Sequence, residues 1–116
     1  MTKLFPDIEI YIRHVSNEAL ICWLESRFDV KGKFPFLTLS LEEKITDCLI
    51  VSDAVEGGYT SVWFKSNGTP WKTDRDCARD AYRYLKKEVR CNASVTSNDS
   101  FQWLQLDKKG EIPVSW

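Results

Sequence analysis

Covalent catalysis through a nucleophile and a base would have to use His14, the single histidine of the chain. It follows an alternating segment and has no serine or cysteine nucleophile motif beside it, so it reads as an exposed or capping side chain. The four cysteines, at positions 22, 48, 77 and 91, include no Cys-x-x-Cys pair. A structural zinc site needs clustered thiolate and imidazole ligands, so these thiols are expected to be reduced, buried small hydrophobes, with neither metal nor cofactor. Glu42-Glu43 and the pair Asp74 and Asp76 fall where a strand end and a helix start would place charge in any case. Glycine-rich phosphate loops and His-Glu-x-x-His are absent, and Gly57-Gly58 alone is a turn. Chemistry at a covalent or metal site is therefore not expected, and an enzyme ranks last among the readings.

Binding chemistry is better represented. Arg75, Arg79 and Arg83 recur every four residues, with Lys72 and Lys86 nearby, which forms one helical ridge. Spacing also sets Asp76 to pair with Arg79 and Asp80 with Arg83, so much of that ridge should be neutralised locally. The loop from Asn67 to Thr73 could hold a phosphate on free backbone N–H groups. Thr73, Asp74 and Asp76 already bring oxygen and negative charge to the same helix end, which argues against an anion there. Tryptophan is the unusual residue type, with five in 116 residues. It is both a large core residue and a common contact anchor, so each one must be placed on a face.

Length and composition suit one soluble domain, residues 1–116, with 43% hydrophobic and 28% charged residues. A formal net charge of −1 argues against a dedicated duplex-DNA binder. The segment MTKLFPDIEIYIRH lacks the apolar core of a secretory signal, and no apolar run is long enough to span a bilayer, so a cytoplasmic location without membrane contact is expected. Three Asn-x-Ser/Thr triplets are then turn chemistry.

The elements follow from periodicity. Ile8, Ile10 and Ile12 alternate with Glu9, Tyr11 and Arg13, which predicts a half-buried strand with Tyr11 outward. Ser16 or Asn17 caps a helix through about Phe28, and Lys31-Gly32-Lys33 is expected to stop it. Leu37, Leu39 and Leu41 form a second strand, Cys48 to Val51 a third, and Tyr59 to Ser66 a fourth, with Val62 and Phe64 inward and Tyr59, Trp63 and Lys65 outward. Thr73 caps a helix from about Asp74, with Ala78, Ala81, Tyr82, Leu85 and Val89 as its buried stripe and Asp76, Arg79, Asp80, Arg83 and Lys87 wet. Asn92 to Ser100 is polar and turn-rich and reads as a loop, with a short strand around Cys91 to Val95 as the alternative at its start. Phe101 to Leu106 and Ile112 to Trp116 then flank a turn at Asp107 to Gly110, and Pro113 marks an edge strand.

Two helices and about six strands joined largely by short turns predict an α+β two-layer sandwich, a largely antiparallel sheet with both helices on one face. The other face would then present Tyr11, Tyr59, Trp63, Phe101 and Trp103, too apolar for ordinary solvated surface. The reading is a small non-catalytic interaction protein that docks a protein partner or a second copy of itself through this face or through the Trp71 loop. The alternative is a single-stranded nucleic-acid module that stacks bases on the same aromatics, with Lys65, Lys72, Arg75 and Arg79 meeting phosphates. Near-neutral charge disfavours it.

Overall fold

The computed structural model describes residues 7–66, 68–92 and 103–116. In chain order the elements are β1 (Ile8–Arg13), α1 (Asn17–Glu25), β2 (Asp29–Lys33), β3 (Phe36–Leu41), β4 (Lys44–Val55), β5 (Tyr59–Phe64), α2 (Asp74–Leu85), β6 (Val89–Asn92), β7 (Trp103–Asp107) and β8 (Gly110–Val114). The strands form one sheet in the order β2-β3-β4-β5-β1-β6-β7-β8, and each neighbouring pair is antiparallel. Both helices lie on one face, giving the expected α+β sandwich with dimensions of 39 × 38 × 22 Å.

The isoleucines of β1 decide its central place. Ile8, Ile10 and Ile12 are buried under the helices, where they meet Val62 and Phe64 of β5 and Val89 and Cys91 of β6. Helix α1 is capped as expected, with Ser16 Oγ accepting from the Ala19 N–H at 3.1 Å. It buries Leu20, Trp23 and Leu24. It stops at Glu25, short of Phe28, where the Ser26 N–H bonds back to the Cys22 carbonyl.

The residues expected to end this helix instead form edge strand β2, which pairs with β3. Gly32 belongs to that hairpin rather than to a helix end. Its φ is +97°, and a Cβ there would stand 2.7 Å from the Phe36 carbonyl oxygen. Strand β4 is also longer than its apolar centre. It continues through a register shift between Val51 and Val55 before turning into β5.

Helix α2 begins at Asp74, with Thr73 Oγ1 accepting from the Asp76 N–H at 3.1 Å. Cys77, Ala78 and Ala81 face the sheet. Asp80 was expected on the wet side and is buried instead, because Arg27 and Trp71 bring it donors. Arg27 Nε and Nη2 reach its two carboxylate oxygens at 2.7 and 2.6 Å, and Trp71 Nε1 donates to Oδ2 at 2.8 Å. Trp71 is only 6% exposed and stacks on Trp23 with ring centroids 5.5 Å apart. The Trp71 side chain is therefore part of the core and is not available for docking. Gly68 ties it to β4, since its N–H donates to the buried Thr46 hydroxyl at 3.1 Å.

Candidate functional site

Side chains alternate along a strand, so every residue buried beneath the helices leaves its neighbours on the opposite face. On β3 to β5 the uncovered residues stand side by side in one cross-strand row: Phe36 opposite Leu49, Leu49 opposite Trp63, and Trp63 opposite Glu9 of β1. Phe36 is 64% exposed and Val51, next along β4 on this face, is 42% exposed. Lys65 lies over the Trp63 ring at 5.1 Å, while Trp63 Nε1 donates to Asp7 at 3.3 Å. This half of the face is bare.

The other half carries its own cover. Trp116, beyond β8, returns over the sheet and meets Tyr11, Tyr59 and Trp103 at centroid distances of 5.2, 4.9 and 5.0 Å. Arg90 of β6 lies 4.8 Å from the Trp116 ring and 5.2 Å from Tyr59. The walls are fixed by bonds that do not involve Trp116. Arg90 donates to Gln105 Oε1 through Nε and Nη2 at 3.0 and 2.7 Å. Tyr59 donates its hydroxyl to Glu88, and Tyr11 donates to Glu9 at 3.2 Å. Burial first, and then the bond to Glu88, hold the Tyr59 phenol above its ordinary pKa. Tyr59 was expected to lie open; it faces outward but is 3% exposed, because Trp116 and the cations Arg13 and Arg90 close over it.

Where β6 parts from β1 beyond Ile10 and Cys91, a cleft of about 700 Å³ opens between the sheet and the start of α2. It collects Lys72, Arg75, Arg79 and Trp103 from the expected binding set, and with them Asp7, Glu9, Tyr11, Asp74, Asp76 and Asn92. The basic ridge is consumed differently from the expected local pairing. Arg79 makes a bidentate bond to Glu111 at 2.7 and 2.9 Å, and Asp80 is taken by Arg27. Arg75 Nε is buried without a hydrogen-bond partner among the described residues. Burial, followed by the nearby charges of Asp7 and Glu9, pushes the Asp74 carboxyl up to about 6, with the Glu9 backbone bond pulling the other way. The cations here are interleaved with carboxylates, so phosphate would meet both signs.

Of the expected binding residues, then, Tyr59, Trp63, Lys65 and Trp103 lie on the uncovered side, Lys72, Arg75 and Arg79 line the cleft along with Trp103, and Trp71 is core. Phe101 lies outside the described residues. Three cysteines are buried as expected, and burial raises Cys48 and Cys91 to about 12; Cys22 departs from expectation and is exposed on α1. No group of His, Cys, Asp and Glu suited to a metal ion occurs among the described residues, and no helix there is long and apolar enough to cross a membrane.

Sequence reasoning missed Phe36, Leu49, Arg90 and Trp116. Phe36 sits in phase with Thr38 and Ser40, so carrying the alternation of Leu37, Leu39 and Leu41 one residue back exposes it. Leu49 was hidden inside the apolar run Cys48 to Val51, which is two-faced: Cys48 and Ile50 are buried while Leu49 and Val51 face out. Nothing in the spacing signals the return of Trp116. No protein-family model, curated protein or solved structure matches this chain, so the fold and the uncovered face stand on their own geometry.

Proposed function

We propose that the protein is a non-catalytic interaction module that docks a second copy of itself through the uncovered face of its sheet. The observation that carries this reading is the unbroken apolar row Phe36, Leu49 and Trp63, flanked by exposed Val51. Rows of this kind on a sheet are ordinarily buried, and contiguous apolar patches on soluble proteins mark contact surfaces. The two long dimensions, 39 and 38 Å, give a face of roughly 1,500 Å² in projection, against the ~800 Å² per partner of a standard interface. About half of the face is enough.

Sedimentation of the wild type and of Phe36→Asp tests the proposal. Phe36 is mostly solvent-exposed, so the charge leaves the core intact, and the wild type should sediment as a dimer at micromolar concentration while Phe36→Asp sediments as a monomer. A wild-type monomer of 13.5 kDa at that concentration would sink the reading. The single-stranded nucleic-acid reading has less support, because Asp7, Glu9, Asp74 and Asp76 share the cleft with Lys72, Arg75 and Arg79. Salt-sensitive binding of a labelled oligonucleotide at low salt would restore it.

A further inference from the structure

The uncovered face has two unlike halves. Strands β3 to β5 carry the bare row, and β1, β6 and β7 carry most of the aromatic cluster capped by Trp116, with Tyr59 at the β5 boundary completing it. An isologous contact requires that a patch on one side of the two-fold axis fit a different patch on the other side, each copy supplying both. Resting on the self-docking reading above, we propose that the two-fold axis runs along the strands between β5 and β1, so that Trp116 of each copy packs as a knob onto the bare Leu49, Val51 and Trp63 surface of the other.

Three features of the face support this arrangement. The first is position. With four strands on each side of the β5–β1 boundary, rotation about an axis there lays β1 and β6 of one copy over β5 and β4 of the other. β1 and β6 supply Tyr11 and Arg90 beneath the knob, which overhangs Tyr59 at the near end of β5, and β5 and β4 bear the bare patch. The second is relief. Trp116 stands on top of Tyr11, Tyr59 and Trp103, so that part of the face projects, whereas Phe36, Leu49, Val51 and Trp63 form only a first layer of side chains. Two projecting halves cannot pack against each other while the bare halves also meet, so shape favours projection onto bare surface. The third is chemistry. Trp116 remains 41% exposed although three rings and a guanidinium already hold it, which leaves one side of the indole free for apolar contact. Tryptophan in a preorganised setting is the residue type that most often dominates an interface.

Other axes make different contacts. A two-fold perpendicular to the strands would lay β4 over β4 and bring Val51 towards its own symmetry mate. The two cases can be separated by cross-linking in a Cys22→Ser background, since the remaining three cysteines are buried. Val51→Cys and Ser115→Cys are both at exposed positions, and neither removes the knob or a core residue. Mixed and treated with a short bismaleimide, the two variants should give a cross-linked heterodimer, and neither should cross-link with itself. Trp116→Ala should weaken dimerisation at least tenfold, with an unchanged circular dichroism spectrum. If the protein is dimeric but Val51→Cys links to itself, or the mixture gives no heterodimer, the pairing of halves is wrong and self-docking stands. If the wild type is monomeric, self-docking itself has failed.

Discussion

Replacing Asp80 by asparagine removes the charge on which the Trp71 loop, α2 and the turn after α1 converge. The carboxylate accepts two bonds from Arg27 and one from Trp71, and Asn keeps a single carbonyl oxygen while turning an NH₂ group towards a donor. Breaking one side of a fully buried ion pair costs about 3–5 kcal/mol. Arg27 keeps 36% of its side chain in solvent and can be rehydrated once released, so the estimate falls to about 2 kcal/mol at neutral pH. Burial alone would raise the Asp80 pKa, but the bonds from Arg27 and Trp71 outweigh it and hold the pKa below its ordinary value. A carboxylate with a lowered folded pKa contributes stability above its unfolded pKa, about 3.9, and loses it as pH falls through the folded pKa. Urea denaturation of both proteins should therefore show a gap of about 2 kcal/mol that holds from about pH 5 to 8 and narrows below about pH 4. Tryptophan fluorescence is a direct probe, since Trp71 itself reports the site. A gap under about 0.5 kcal/mol at pH 7, or one unchanged at pH 3, would refute the assignment of Asp80 as the keystone of this corner.

Asp74 should behave in the opposite sense. Its folded pKa of about 6 lies above the unfolded value, so the wild type loses stability as pH rises between about 4 and 6. Asp74→Asn escapes that loss. After allowance for the part of the side chain that remains in solvent, the variant should be more stable than wild type by about 1–2 kcal/mol at pH 8 and about equal at pH 4; an equal effect at both pH values counts against the raised pKa. Thiol titration with an aromatic disulfide reagent should label Cys22 rapidly in the native protein and Cys48, Cys77 and Cys91 only on unfolding, and fast labelling of two or more sites would contradict their burial.

The elements most legible in the sequence were those in which local and tertiary forces agree. The alternation of Ile8, Ile10 and Ile12 and the Thr73 cap each predicted what formed, because burial and backbone bonding ask for the same residues. The errors fall where a residue type serves two geometries. Lys31-Gly32-Lys33 has the composition of a helix end, yet Gly32 is required by close approach to Phe36 in a hairpin. Asp80 has the spacing of a wet helical position, and only a partner 53 residues away in sequence, Arg27, makes its burial tolerable. For the uncovered face, Trp63 and Trp103 could be placed by strand phase alone. The covering of Tyr59 by Trp116 could not, since it joins residues 57 apart through a turn back across the sheet.

The two ends of the sheet bear on how large an assembly can become. β2 exposes Asp29, Lys31 and Lys33, and β8 contains Pro113, which has no N–H to offer an incoming strand. Addition of further copies end to end would have to bring lysines together at one rim and forgo a backbone bond at the other, so lateral polymerisation into a continuous ribbon is discouraged. Growth perpendicular to the sheet meets no such barrier at the first step. Once two copies have met face to face, each presents only its helical layer outward, and the charged surfaces of α1 and α2 give a third copy nothing apolar on the scale of the bare row. On the self-docking proposal, a chain adhesive in one direction is thereby self-limiting, and its concentration can rise without the aggregate lengthening.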